Sequence, residues 1–97
     1  MSANYQIRWL DLALQDLDEI AGYIAKDDEQ SAQKVAEQIW LAAGSLAEFP
    51  ERARAGRVPG TRELVLVDLP FFIAFRVKDN IVQILRIIHT SRKWPTA

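Results

Sequence analysis

A chain of 97 residues can bury one hydrophobic core and is too short for two. Hydrophobic residues make up 49% and charged residues 26%, a globular rather than disordered balance, and the absence of cysteine excludes disulfide frameworks and cysteine-based zinc sites. The net charge of −1 hides an asymmetry: residues 1–49 carry three basic side chains against nine acids, whereas residues 50–97 carry nine against four.

Tyr5 to Trp9 alternates, with Tyr5, Ile7 and Trp9 on one side and Gln6 and Arg8 on the other, which predicts a short strand. From Asp11 the period becomes helical. Leu14, Leu17, Ile20/Ala21 and Ile24 recur on one face, with Gln15, Asp16, Asp18 and Glu19 opposite. Asp11 is the expected cap of this helix, and Lys26-Asp27-Asp28 its end. A second helix is expected from Asp28 or Ser31 to about Glu48. Its stripe is Ala32, Val35/Ala36, Ile39, Ala43 and Leu46/Ala47, with Trp40 on the margin and Phe49-Pro50 as terminator. Together the helices form an αα-hairpin over about 11–48.

Residues 51–61 have no sustained period and read as a basic loop bearing Arg52, Arg54 and Arg57. Three β-rich segments follow, Arg62–Val67, Phe71–Val77 and Ile81–Ile88, and then a mostly polar tail over 89–97. The predicted fold class is α+β: one strand, a helical hairpin, then a three-stranded antiparallel meander (β-α-α-β-β-β) in a single domain. No apolar run approaches the roughly 18 residues of a membrane helix, and Met1-Ser2-Ala3-Asn4 does not read as a signal peptide; a cytoplasmic location is expected.

Closing each hairpin over three residues pairs Val67 with Phe71 and Val77 with Ile81, which sorts side chains by parity. One face then carries Val65, Val67, Phe71, Ile73, Phe75, Val77, Leu85 and Ile87 and is expected beneath the helices. The other carries Arg62, Leu64, Leu66, Phe72, Ala74, Arg76, Val82, Ile84, Arg86 and Ile88. A single β-bulge would reshuffle this assignment. An apolar face with embedded arginines and no helix to cover it suits a partner that supplies carboxylates or phosphates. Packing against the C-terminal tail or a second copy is the alternative. The residues expected to bind are Arg62, Leu64, Phe72, Arg76, Ile84 and Arg86.

No metal or cofactor motif is present: one histidine and no cysteine cannot make a transition-metal site, and no phosphate-cradling glycine pattern occurs. Ser91 lies near His89, but nothing in the sequence marks it as a nucleophile. Chemistry, if any, rests on Arg54, Arg57, Arg62, Arg76, Arg86, His89 and Arg92. Metal-free RNA cleavage needs a base, an acid and cations for the developing phosphorane, and arginines with one histidine supply part of that set.

The element order, the segment Arg57-Val58-Pro59-Gly60-Thr61-Arg62-Glu63-Leu64, the strand Phe75-Arg76-Val77 and the ending Ile84-Leu85-Arg86-Ile87-Ile88-His89 resemble the ParE/RelE superfamily of bacterial type II toxin–antitoxin toxins. Asp16-Leu17-Asp18-Glu19-Ile20, Tyr23-Ile24 and Leu46-Ala47-Glu48-Phe49-Pro50 also match, so the likeness spans the chain. The resemblance implies a cognate antitoxin that wraps the toxin and contributes acids, in a hetero-oligomer or beside a homodimer. It further implies one of two targets: DNA gyrase for ParE-like members, or the ribosome with mRNA for RelE-like endonucleases. Where the nucleases commonly place an arginine this chain has Phe72, and where they end in an aromatic or basic residue it has Thr90-Ser91. The Arg86…His89 ending resembles the ParE branch. The endonuclease alternative would employ Arg54, Arg57, Arg62, Arg86 and His89.

Overall fold

The computed structural model describes residues 4–92, 94 and 95; of the expected tail, Lys93, Thr96 and Ala97 lie outside the described residues. The elements are β1 (Gln6–Trp9), α1 (Asp11–Ala25), α2 (Glu29–Ser45), a 3-10 turn (Pro50–Arg52), β2 (Arg54–Ala55), β3 (Arg62–Val65), β4 (Phe71–Lys78) and β5 (Ile81–His89). They form one five-stranded sheet in the order β1-β5-β4-β3-β2. The α+β meander expected from the sequence is present. To it are added a parallel β1–β5 pairing and a two-residue strand, β2, inside the expected loop.

Local chemistry accounts for the helix boundaries. Asp28, in extended conformation, accepts hydrogen bonds from the Gln30 and Ser31 backbone N–H groups and from the Ser31 hydroxyl, capping α2. The expected Asp11 cap of α1 is not formed. Leu10 occupies that position, and Asp11 sits in the first turn, where its charge favours the helix dipole. Leu10 is held there because its N–H continues the sheet by donating to the Ile84 carbonyl. Tyr5 N–H donates to the Ala47 carbonyl, which ties the start of β1 to the exit of α2.

The hairpin registers differ from expectation by one residue each. The β4–β5 turn has two residues rather than three, because Asp79 and Asn80 both adopt positive φ (53° and 62°), the signature of a type I′ turn. The β3–β4 loop has four residues rather than three: Leu66 N–H donates to the Phe71 carbonyl, and Asp68 takes φ +67° within the loop. A one-residue slip inverts a strand's faces. Leu64 and Leu66 therefore point toward the helices, while Val65 and Val67 are exposed. A bulge opposite Ala74/Phe75 then inserts Leu85, so Val82 and Ile84 share a face with Ile87.

The core lies between this face and the helical hairpin. Ala13, Ile39, Ala43 and Leu46 from the helices meet Ile73, Phe75, Val82, Ile84 and Ile87 from the sheet. The opposite face carries a second, smaller apolar cluster of Phe72, Ala74 and Ile88, covered by Trp94 from the tail and flanked by Val58 and Leu85. The tail, one of the two alternatives, therefore covers the apolar part of that face. Trp40, on the margin of α2, stacks on Trp9 with ring centroids 5.0 Å apart and planes 13° apart.

Two tests follow from this packing. Phe75 is fully buried, so Phe75→Ala should cost about 3–5 kcal/mol in denaturant unfolding. Hydrogen bonds, first from the Ser31 hydroxyl and then from its N–H, hold the Asp28 carboxyl below the ordinary aspartate range. The cap's contribution is therefore complete above the unfolded-state value and is lost as pH falls through the lower folded value. Asp28→Asn can still accept the capping bonds but does not titrate. On acidification its melting midpoint should decline less than that of the parent.

Candidate functional site

The edge of β5 is the structural centre of the candidate site. β1 pairs with β5 from Ile81 to Ile84, leaving the remainder of that edge without a strand partner among the described residues. The chain turns at Leu10 and runs as α1 along the open stretch. One turn further on, Asp16 meets it: its carboxylate accepts from Arg86 Nε (2.7 Å), Arg86 Nη2 (3.0 Å) and the Ile87 backbone N–H (2.9 Å). The carboxylate fills the place of a neighbouring strand's carbonyl and neutralises the guanidinium as well. The bond to Asp16 raises the Arg86 pKa, with Glu19 adding a smaller attraction and burial opposing.

Beyond this clamp, α1 and the end of β5 diverge into an open groove of about 710 Å³. Ile20, Tyr23 and Val35 line it from the helices, and Leu69, Phe71 and His89 from the sheet side, with Glu19 and Arg92 also on its walls. Tyr23 is 74% exposed, unusual for an aromatic ring beside an apolar groove. His89 packs edge-on to Phe71 with ring centroids 5.4 Å apart. Its Nδ1 accepts from Ser91 N–H (3.1 Å) and lies 2.7 Å from Ser91 Oγ. The one lone pair of Nδ1 is thus engaged by the turn that follows β5. No carboxylate bonds the ring among the described residues, so the pair lacks the third member that orients a catalytic histidine.

The residues expected to act together are distributed over several places. Arg54 pairs with Glu63 (2.9 Å), a carboxylate that is almost fully buried and also accepts from Arg57 N–H (3.1 Å). This anchors the loop 56–61, which is closed by Gly56 N–H to the Thr61 carbonyl. A Cβ on Gly56 would overlap Thr61 Oγ1 and crowd the Thr61 carbonyl group at 3.0 Å, so a side chain there would force the loop to shift. Arg62 lies on the helix-facing side of the sheet and donates to the Ala53 (3.1 Å) and Glu51 (3.4 Å) carbonyls. Arg86 is held by Asp16, and His89 lies in the groove.

The shared binding face expected from parity is corrected by the register. Leu64 and Ile84 belong to the main core, Phe72 is buried under Trp94, and Arg62 is on the side opposite Phe72. Of the six expected binding residues, Arg76 is exposed on the open face, where it bonds Gln83. Sequence reading placed Asp16 on a solvated helix face and missed its role, because its partners lie 70 and 71 positions away. The Asp-Asn pair at 79–80 was the available signal for the true register, since these residues tolerate positive φ.

Asp16→Ala removes three acceptor contacts and leaves Arg86 without its counter-ion. Arg86 is 30% exposed at the side chain and can recover some hydration, so the expected loss is about 2–3 kcal/mol in denaturant unfolding, less than for a sealed ion pair. Asp16→Ala combined with Arg86→Met should lose less than the two single variants added together.

Comparison with known proteins supports the placement of this fold. Residues 7–94 match the family model described as the ParE toxin of the type II toxin–antitoxin system parDE. The chain is 46% identical over 90 residues to the protein Y4kP of Sinorhizobium fredii, covering 93% of each chain. It is 42% identical over 87 residues to Toxin RelE2 of Caulobacter vibrioides, covering 90% of this chain and 97% of the other. Among solved structures it resembles a chain of the chromosomal ParDE system of P. aeruginosa, with TM-score 0.82, 33% identity, and 91% and 98% of the two chains covered. It shares the fold of a chain in the RelBE2 toxin–antitoxin complex of Mycobacterium tuberculosis, with TM-score 0.62, 23% identity, and 92% and 94% covered. The chain belongs to the ParE toxin family of type II toxin–antitoxin systems.

Proposed function

We propose that this toxin acts by binding rather than by cutting RNA, with DNA gyrase as its target and a cognate antitoxin as its inhibitor. The observation that carries the proposal is the dispersal of the cationic set. Cleavage of a phosphodiester requires base, acid and charge-stabilising groups around one phosphorus. Here Arg54 is paired with Glu63, Arg62 with backbone carbonyls and Arg86 with Asp16, while His89 lies in the groove beside α1. The match to the ParE family model points the same way.

The groove between α1 and the end of β5 is the proposed antitoxin dock. It offers an apolar floor, the exposed Tyr23 ring as an anchor, and side chains of both signs in Glu19 and Arg92. An amphipathic segment could bury apolar side chains there and pair its charges on the walls. The opposite face is less suited, because Trp94 and Val58 already occupy its apolar cluster.

The endonuclease reading is favoured by one observation, the 42% identity to Toxin RelE2. The two readings separate in parallel assays. Purified toxin is expected to block gyrase supercoiling and to leave ribosome-bound mRNA intact; the reverse pattern, with cuts abolished by His89→Ala, would establish the endonuclease. For the dock, Tyr23→Ala should weaken antitoxin binding by about tenfold or more in calorimetry, with the melting temperature of the free toxin unchanged.

A further inference from the structure

Part of the charge asymmetry of the sequence is carried into the fold, although Arg52, Arg62, Arg86 and Arg92 lie on the helix side or at the groove. Eight exposed acids lie between Asp11 and Glu48, on the helical hairpin and its flanks. The open sheet face, turned away from the helices, is cationic. Arg8 on β1 registers with Gln83 on β5, which registers with Arg76 on β4. Arg8 and Arg76 are exposed, and Lys78 extends the row toward the β4–β5 turn on the same face. Gln83 binds the Arg76 guanidinium and so braces the middle of the row. Arg54 and Arg57 stand at the β3 side of this face, where the carboxylate present, Glu63, is buried and already bonded to both residues.

We infer that the Arg8–Gln83–Arg76 row, with Lys78, is a binding surface for the phosphate backbone of duplex DNA. Three features select this occupant. Adjacent strands lie about 4.8 Å apart, so Arg8 and Arg76 stand about 10 Å apart across β5 on a flat, open surface. Their long side chains can reach successive backbone phosphates without a pocket. Second, an acidic protein partner would need an apolar centre as well as charge. The apolar cluster of this face is filled by Trp94 and Val58, and the exposed Val65 stands beside Phe72, four residues along β4 from Arg76, so the row itself is polar. Third, single-stranded nucleic acid is usually held by aromatic rings that stack on bases. The aromatic residues described on this face, Phe72 and Trp94, are buried in that cluster, so the described surface offers charge and no stacking platform. A duplex, with bases stacked inside and phosphates outside, matches such a surface.

This inference goes beyond the gyrase reading and is tested without gyrase. The isolated toxin is titrated into a short fluorescein-labelled DNA duplex, and anisotropy is followed over a range of salt concentrations. Three phosphate contacts give a slope of log affinity against log salt of about −3. Arg8→Ala/Arg76→Ala/Lys78→Ala should lower affinity by at least about tenfold and bring the slope close to zero, and Lys78→Ala alone should reduce it by about one. Lys34→Ala, on the helical hairpin, should bind as the parent does. The side chains exchanged are exposed, and circular dichroism of the triple variant checks that its fold is kept. Absence of duplex binding by the parent, unchanged binding by the triple variant, an equal loss in Lys34→Ala, or tighter binding of single-stranded RNA of the same length would each overturn the assignment.

Discussion

The open half of the β5 edge is the constraint around which this small fold is arranged. A β-strand with no neighbour leaves backbone donors exposed and invites pairing with another chain. Here the solution is a side chain. Asp16 accepts the Ile87 N–H and both donors of the Arg86 fork, so one carboxylate satisfies the strand, neutralises a half-buried cation and fixes α1 against the sheet. The position follows from chain geometry: Leu10 continues the β1–β5 pairing, and the helix that begins at Asp11 is thereby aimed along β5. A helix laid along an edge cannot follow it indefinitely. Where α1 and β5 part, the groove opens, with Tyr23 on one wall and Phe71 and His89 on the other.

The same arrangement separates the two faces of the sheet. On one, the helical hairpin buries Ile73, Phe75, Val82 and Ile84 and presents its acids outward. On the other, no helix packs among the described residues, and the chain covers the small apolar cluster with its own tail and loop through Trp94 and Val58. Arg8, Gln83, Arg76 and Lys78 make up its β1–β5–β4 part, and Val65 is exposed on its β3 side. A toxin built this way carries an apolar groove beside α1 and a charged plane on the open sheet face, which differ in the partners they suit. Under the two proposals, the first takes a peptide with apolar anchors and the second a polyanion.

The element order, the helical periods and the start of α2 at one of two caps, Asp28 or Ser31, were legible because each rests on neighbours within a few residues. β4 was also oriented correctly, with Phe71, Ile73 and Phe75 toward the helices. One failure, the Asp11 cap, follows from the sheet bond that holds Leu10 at the cap position; the others lie where a turn decides a register. Reading Lys78-Asp79-Asn80 as a three-residue connection, when Asp79 and Asn80 alone form the turn, reversed Val82 and Ile84. The bulge that inserts Leu85 then restored Ile87 and Ile88 to their expected sides. The site was less legible than the fold. Arg62 and Arg86 read as unpartnered because their partners are backbone carbonyls near residue 52 and an aspartate on α1, and neither can be inferred from local pattern. Residue types were read correctly; their pairings required the folded chain.

Amide hydrogen exchange at Ile87 tests most directly whether Asp16 serves as the missing strand. If it does, the Ile87 amide exchanges as slowly as the paired amides of β4 in the parent toxin, and in Asp16→Ala it speeds up more than β4 amides remote from the clamp. An Ile87 amide that exchanges in the parent as fast as those of an exposed turn, or that is equally protected in both proteins, would contradict the account.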